Sequence, residues 1–236
     1  MNFVNAFKRG DLCWSAQFLR KLGGEHTLYC RMEYADHLPE MFSGTSITIA
    51  PIDTHPKDCI DLWIGSGSNP VNWYSEGCPK DLIAFLMKFF NGLGFGEVFT
   101  ERHQFLADYP ALLPAAMRGP HGALVIDANP ESSQCPGYVP EEMDDLVARL
   151  ANKHSVKTVK GAGMSFSEIG RRSQFSEFIV AVATGPIWPT FNIWNKETPR
   201  HILLDGIELD FGIPAEIRYH TCVKDLRNSL ENLCLL

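Results

Sequence analysis

The feature that most constrains this chain is a rhythm of short apolar runs and helical patterns that occurs twice. In the first half, apolar runs at 1–6, 26–31 and 46–50 alternate with helical spacing over 12–22 and 33–42. A further apolar run covers 59–64, and an amphipathic helix is predicted over 81–93. Strand, helix, strand in regular succession is typical of a parallel sheet covered by helices.

The second half repeats the pattern without repeating the sequence. Strands are predicted at 123–127, 156–159, 178–183 and 202–204, with helices at 141–153, 166–175 and 221–236. A polar stretch with two glycines and a proline, at 118–122, is typical of a linker. We therefore predict an α/β protein of two compact Rossmann-like domains, 1–118 and 119–236, facing each other across a cleft.

Charge and cysteine content exclude several classes of protein. The formal net charge is −7, and the densest basic spots are only pairs, Lys8-Arg9 and Arg171-Arg172. A tight nucleic-acid partner is therefore disfavoured, although a nucleic-acid substrate held in one cleft stays open. The seven cysteines form no C-x-x-C pair, which disfavours a structural zinc site. The eight histidines are scattered without H-x-x-x-H, so no other metal site is expected. Free thiols and the lack of ~18 continuous apolar residues predict a cytoplasmic protein without an integral membrane segment.

In parallel sheets ligands bind beyond the carboxyl ends of strands, which directs attention to three loops. The first contains Lys8, Arg9, Gly10 and Asp11, between the first strand and the first helix. Gly10 would allow a tight turn or close approach of a ligand. Asp11 could act as a general base toward an acceptor hydroxyl. The alternative is that Asp11 caps the helix, and on motif alone we favour the cap.

The second loop follows the first strand of the second half and contains Asn129, Ser132 and Ser133. Its small polar side chains and backbone amides could bind phosphate oxygens. An ordinary surface turn explains the same residues equally well. The loop has neither G-x-G-x-x-G nor G-x-x-x-x-G-K-[ST], which disfavours dinucleotide dehydrogenases and P-loop proteins.

The third loop runs from the strand at 178–183 through Thr184, Gly185 and Pro186 to Trp188. Gly185 would let a phosphate or sugar approach the backbone, and Thr184 supplies a hydroxyl. Trp188 and Trp194 could stack on a base or sugar, but packing in a core or interface is the commoner role of tryptophan.

Taken together, these loops resemble glycosyltransferases of the two-Rossmann-domain (GT-B) type, in particular the ADP-heptose–lipopolysaccharide heptosyltransferase-like group. Gly10-Asp11-Leu12 is similar to the group's Gly-Asp-hydrophobic motif, and 178–186 is similar to its strand followed by Asp-Ser-Gly-Pro. Here Ala183 replaces the acidic residue, Thr184 replaces serine, and Trp188 stands where a histidine is usual. Asn129-Pro130 and the segment containing Trp63 are also similar to segments of the group.

The resemblance implies transfer of a sugar from a nucleotide-sugar donor to an acceptor hydroxyl, with Asp11 as the base. Domain 1–118 would face the acceptor through Lys8, Arg9, Gly10 and Trp63, and domain 119–236 would bind the donor. The acceptor would be a glycan, a lipid-linked sugar or a modified nucleobase. The resemblance also implies that no metal or cofactor is needed, and the sequence has no D-x-D motif. The implied donor-binding residues are Asn129, Ser132, Ser133, Lys160, Thr184, Gly185, Pro186 and Trp188.

Two alternatives stay open at this point. The loss of the acidic residue at Ala183 favours a protein that binds a nucleotide or nucleotide sugar without turnover. A phage-type DNA-base glycosyltransferase would need a local basic cleft, for which Lys8, Arg9, Arg171 and Arg172 are the available cations.

Overall fold

The structure is a computed structural model that describes residues 1–114, 122–130 and 135–236. The chain divides into two compact units. The first contains Met1–Ala111 and the short segment Leu209–Gly212, and the second contains Leu112–Glu208 and Ile213–Leu236. The predicted domain boundary at 118/119 falls outside the described residues, so it stays a prediction, as does the shared cleft.

The first unit contains a parallel sheet in the order β3-β2-β1-β4. Its strands are β1 (Asn2–Asn5), β2 (His26–Cys30), β3 (Ile47–Pro51) and β4 (Ile60–Asp61). Its α-helices are α1 (Arg9–Leu22), α2 (Leu38–Met41) and α3 (Leu82–Asn91). Short 3-10 helices cover Met32–Tyr34, Ile52–Thr54 and Arg102–Phe105, and a further one, Pro110–Leu112, covers the point where the chain passes into the second unit.

Phenylalanines form much of the core of the first unit. Phe18 of α1 stacks on Phe90 of α3 with ring centroids 4.7 Å apart, and Phe3 of β1 meets Phe18 edge to face. All three rings are fully buried. This packing explains why the apolar faces of α1 and α3 lie against the sheet, because each buried aromatic ring removes a large apolar area from water.

The second unit contains a parallel sheet in the order β6-β5-β7-β8-β9. Its strands are β5 (Ala123–Ile126), β6 (Val156–Thr158), β7 (Phe178–Val182), β8 (Arg200–Leu203) and β9 (Ile217–His220). Its helices are α4 (Pro140–Ala151), α5 (Val159–Ala162), α6 (Phe166–Ser173) and α7 (Val223–Asn232), with a 3-10 helix at Gly185–Thr190. Every residue of β5 and β7 is buried, as expected for central strands covered on both faces.

The α/β class and the two parallel sheets predicted from the sequence are confirmed. Several elements differ in extent. The run at 59–64 forms only a two-residue strand, and the predicted helix at 33–42 is a 3-10 turn followed by a single α-helical turn at α2. The segment 185–195, predicted as a loop, begins with a 3-10 helix, and β9 was not predicted. Among the described residues, no helix is both long and apolar enough to cross a bilayer.

Candidate functional site

Each sheet has one position where the strand order reverses, and the candidate residues gather beside these positions. In the first sheet β2 and β4 flank β1 on opposite sides, so the reversal lies between β1 and β4. In the second sheet the reversal lies between β5 and β7. A crevice opens beyond the carboxyl ends of the strands at such a reversal, which is where ligands bind in open α/β sheets. The two places are described separately below.

Asn5, the last residue of β1, organises the turn into α1. Its side-chain Oδ1 accepts a hydrogen bond from the Phe7 amide at 2.9 Å, and its Nδ2 donates to Ser15 Oγ at 2.8 Å. Ser15 Oγ in turn donates to the Asp11 carbonyl at 3.1 Å, and Asn5 Nδ2 lies 3.4 Å from the same oxygen. Because Asn5 is fully buried, these bonds satisfy an amide that has no access to water. Sequence inspection missed this residue, since an asparagine ending an apolar run is a weak signal.

The Asp11 carboxyl lies in the first turn of α1 and is partly buried. Burial raises the pKa of this carboxyl to about 7, against smaller opposing effects from its own backbone amide and from the charge of Lys8. The helix is capped by Lys8 in extended conformation, without a side-chain hydrogen bond. The preferred interpretation of Asp11 as the helix cap is therefore wrong. A carboxyl that titrates near neutral pH is suited to proton transfer.

The neighbours of Asp11 differ in their availability to a ligand. Arg9 holds Asp36 in a two-point ion pair, Nε to Oδ1 at 3.0 Å and Nη2 to Oδ2 at 3.2 Å. Gly10 is the second residue of α1, so it adopts helical backbone and does not form the predicted tight turn. Lys8 immediately precedes the helix, and its positive charge acts to lower the pKa of Asp11.

Trp63 lies two residues beyond the end of β4, the strand next to β1. Its ring stacks on Phe7 with centroids 5.1 Å apart and planes 18° apart. Its backbone amide donates to Asp61 Oδ1 at 2.9 Å. The first strand reversal thus brings Trp63 against Phe7, in the turn that leads into the helix of Asp11. The acceptor-side role of Trp63 stays a prediction.

In the second unit a buried carboxylate marks the strand reversal. Asp127 follows β5 and is only 5% exposed, and its Oδ1 accepts the backbone amide of Lys160 at 2.8 Å. Thr158 caps the same turn by accepting from the Gly161 amide at 3.1 Å. Lys160 is brought to the end of β5 in this way, with its side chain exposed. The sequence had not singled out Asp127 as a site residue.

The third predicted loop follows β7, on the other side of this reversal. It contains Thr184, Gly185, Pro186 and Trp188. Thr184 precedes the 3-10 helix, and its carbonyl accepts the Ile187 amide at 3.0 Å. Gly185 and Pro186 form the first turn of that helix and are partly buried. The Trp188 ring is partly buried and lies 6.3 Å from the Phe191 ring at 43°.

A fully buried arginine fixes the chain that follows this 3-10 helix. Arg200 of β8 donates from Nη2 to the Thr190 carbonyl at 2.8 Å and to Asn195 Oδ1 at 2.9 Å, and from Nη1 to the Thr198 carbonyl at 2.6 Å. Its guanidinium also lies 4.9 Å from the centroid of the Phe191 ring. Burial lowers the pKa of Arg200 to about 10, which leaves it charged at neutral pH. Arg200 was not predicted, because arginine at the start of an apolar strand is usually exposed.

The remaining predicted donor residues are only partly within the described chain. Asn129 is exposed, and its Oδ1 accepts the Tyr138 hydroxyl at 2.9 Å. Ser132 and Ser133 lie outside the described residues. Over the described ranges, no group of three or more His, Cys, Asp or Glu side chains is placed to hold a metal ion.

Comparison with solved structures shows a shared fold at low sequence identity. The structure of Escherichia coli heptosyltransferase WaaC with ADP matches 99% of this chain and 97% of its own, with a TM-score of 0.57 and 13% identity. A family 9 glycosyltransferase from Veillonella parvula matches 99% of this chain and 88% of its own, with a TM-score of 0.53 and 9% identity. The resemblance to heptosyltransferase-like glycosyltransferases is therefore confirmed at the level of the fold.

Coverage is lower for a further structure. The chain spans 57% of the iron-containing dodecameric heptosyltransferase TibC in complex with ADP-D-beta-D-heptose, with a TM-score of 0.49 and 11% identity. No family model and no curated protein sequence matches this chain.

Proposed function

We propose that this protein is a glycosyltransferase that moves a sugar from a nucleotide-sugar donor to an acceptor hydroxyl, with Asp11 as the base. The observation that carries the proposal is the Asp11 carboxyl beside a strand reversal, with a pKa raised by burial to about 7. The fold shared with WaaC, whose structure contains ADP, supports a nucleotide-sugar donor.

The proposed reaction assigns one role to each side of the fold. Asp11 takes the proton from the acceptor hydroxyl while the hydroxyl oxygen forms a bond to the anomeric carbon of the donor. The bond from that carbon to the nucleotide diphosphate breaks, and the diphosphate leaves with the electron pair. In the proposal this charge is stabilised by backbone amides near Thr184 and Gly185 and by Lys160, with no metal or cofactor. Asn129, Ser132, Ser133, Pro186 and Trp188 would complete the donor site.

A panel of nucleotide sugars, beginning with ADP-heptose, tests the proposal by chromatographic detection of released nucleotide, with and without saccharide acceptors. We expect turnover by the wild type and a loss of about 100-fold or more in Asp11→Asn, because a general base contributes ~10²–10⁴-fold. Nucleotide affinity by calorimetry should stay within about 3-fold of wild type, since the base contacts the acceptor. The matched control is Asp225→Asn, a carboxylate in the first turn of α7.

The same experiment separates the alternatives. Nucleotide-sugar binding without turnover of any donor would show that the protein binds without catalysis. The alanine at position 183, in place of an acidic residue, favours this alternative. A DNA-base acceptor is less well supported, because two of the four available cations are in ion pairs. Arg9 holds Asp36, and Arg172 holds Glu168 at 2.7 Å. A salt-dependent mobility shift on duplex DNA would favour the nucleobase acceptor over a saccharide.

A further inference from the structure

The first strand reversal carries an exposed aromatic stack whose role the proposed reaction does not explain. Phe7 and Trp63 stack almost parallel, 5.1 Å between centroids, and Phe7 is 41% exposed to solvent. We call this pair the Phe7–Trp63 stack. An aromatic side chain left this open beside a candidate base differs from Phe3, Phe18 and Phe90 of the same unit, which are fully buried.

Two matching hydrogen bonds hold the stack in place. Asn5 Oδ1 accepts the Phe7 amide and Asp61 Oδ1 accepts the Trp63 amide, both at 2.9 Å and both two residues along the chain. Asn5 ends β1 and Asp61 ends β4, and these are hydrogen-bonded neighbours with Val4 opposite Asp61. Each strand therefore uses its last side chain to orient one ring of the stack, which is a rigid construction for a surface feature.

Gly65 supports the stack from the side of Trp63. A Cβ at Gly65 would lie 2.6 Å from Cζ2 and 2.8 Å from Cε2 of the Trp63 ring, so the backbone of Gly65 is in close contact with the indole. Trp63 thus packs against both Phe7 and Gly65, while Phe7 retains exposed surface. A flat ligand that extends the stack would therefore contact Phe7 first.

We propose that the Phe7–Trp63 stack binds the ring of a saccharide acceptor, with the C–H face of a pyranose against the exposed ring of Phe7. The inference rests on the proposed function, because it names the class of acceptor that would meet Asp11. The face of an aromatic ring is negatively polarised and attracts the weakly positive C–H groups of a sugar. Asn5 connects the two parts, since the side chain that orients Phe7 also lies 3.4 Å from the Asp11 carbonyl.

Charge favours a neutral sugar over a nucleobase at this stack. A nucleotide or nucleic acid would bring phosphates toward Asp61, while Arg9 is held by Asp36 and the charge of Lys8 is opposed by Asp11. Because carboxylates balance these two cations, phosphates gain little net attraction here. A saccharide brings hydroxyls that can donate to the same oxygens.

Sugar binding without any donor tests this inference separately from turnover. The probes are methyl glycosides of glucose, galactose, mannose and N-acetylglucosamine, with adenosine and thymidine as competitors for the stack. Saturation-transfer NMR reports which protons of the probe contact the protein, and titration gives Kd. We expect transfer to the ring C–H protons of at least one glycoside and an increase in Kd of about 10-fold or more in Phe7→Ala, the range seen for loss of one aromatic stacking partner.

Three further variants separate aromatic stacking from other effects of the substitution. Phe7→Leu retains apolar bulk without an aromatic face and should also weaken binding, whereas Phe7→Trp should restore it. Tyr74→Ala removes an aromatic ring that is 66% exposed elsewhere in the unit and should leave Kd unchanged. Thermal unfolding of each variant confirms that the fold is retained.

The outcomes are distinct from those of the turnover assay. The inference is overturned if no glycoside binds the wild type, if Phe7→Ala binds as tightly as the wild type, or if only the nucleosides bind in a Phe7-dependent way. Glycoside binding that depends on Phe7, in a protein that turns over no donor, would support the stack as a sugar site and reject the proposed transferase.

Discussion

Asn5 Nδ2 donates a hydrogen bond to Ser15 Oγ at 2.8 Å, and both side chains are fully buried. This bond joins the end of the first strand to the second turn of the helix that carries Asp11. The same asparagine accepts the Phe7 amide, so one buried side chain holds the backbone on both sides of the turn between Phe7 and Asp11. The candidate site therefore depends on an interior side chain that contacts no ligand in the proposed reaction.

Asn5→Ala should lower the free energy of unfolding by about 1–3 kcal/mol, because the Phe7 amide loses its acceptor and the buried Ser15 hydroxyl loses one of its two hydrogen bonds. Urea unfolding followed by circular dichroism measures the change. Asn152→Ala is the control, since Asn152 is an exposed C-cap residue and should change stability by less than about 0.5 kcal/mol. Equal effects of the two substitutions would contradict the role assigned to Asn5.

Asp11→Asn should make the protein more stable above neutral pH. The pKa of Asp11 is raised to about 7 in the folded chain and is near ~3.9 when unfolded, so the folded state binds the extra proton. Its contribution to stability is present at acidic pH and is lost as the pH rises toward and through 7. We expect a gain of about 1–2 kcal/mol at pH 8 in thermal or urea unfolding, allowing for solvent around a partly exposed carboxyl. The gain should vanish below about pH 4; a gain independent of pH would mean that the carboxyl does not titrate as inferred.

Gly65→Ala should disturb the Phe7–Trp63 stack directly. A Cβ there would approach the Trp63 ring to 2.6 Å, which forces the indole to move and costs about 1–3 kcal/mol. Near-ultraviolet circular dichroism and tryptophan fluorescence should both change. Gly67→Ala is the matched control two residues away, since an added Cβ there meets nothing within 4 Å. If both variants gave wild-type spectra, the close contact with Trp63 would be disproved.

Arg200→Lys should destabilise the second unit by about 2–4 kcal/mol. A lysine cannot reproduce the fork that reaches Thr190, Asn195 and Thr198, so buried carbonyls lose their donors. Arg218→Lys is the control, because Arg218 is paired with Glu216 at 2.8 Å at the surface, where a lysine can keep the ion pair. Limited proteolysis within 185–199 measures the local effect: faster cleavage is expected only for Arg200→Lys.

His201→Asn should reduce the acid sensitivity of the second unit. His201 Nδ1 and His220 Nε2 lie 3.4 Å apart on β8 and β9, and burial followed by the charge of His220 lowers the pKa of His201 to about 4. The pKa of His220 is also lowered, mainly by burial. A histidine with a depressed pKa contributes stability above its unfolded pKa near ~6.5, and that contribution falls as the pH drops toward 4. Unfolding between pH 7 and pH 4.5 should therefore show a shallower decline in His201→Asn than in wild type, with the exposed His103→Asn as control.

These two pH effects have opposite signs over the same range. Asp11 contributes less stability as the pH rises, whereas His201 contributes more. Comparing the two single variants with wild type separates them, because each variant removes only one of the two slopes.

The sequence by itself determined the α/β class, the succession of strands and helices, and the loops where chemistry could occur. These follow from local periodicity, which depends on neighbours three or four residues apart in helices and two apart in strands. It therefore identified Asp11 as a candidate from its place after the first strand, whereas Trp63, inside the predicted strand at 59–64, was identified only through the family resemblance. It misjudged the ends of short elements, such as β4, because pairing partners rather than composition decide where a strand stops.

Only the tertiary structure decided which residues meet and how they ionise. Phe7 and Trp63 are far apart in sequence, and they stack because β1 and β4 are paired in parallel. Asp127 accepts the Lys160 amide because β5 lies beside β6. The roles of Asn5 and Arg200, and the pKa of Asp11, depend on burial, and burial is a property of the packed fold rather than of any segment read alone.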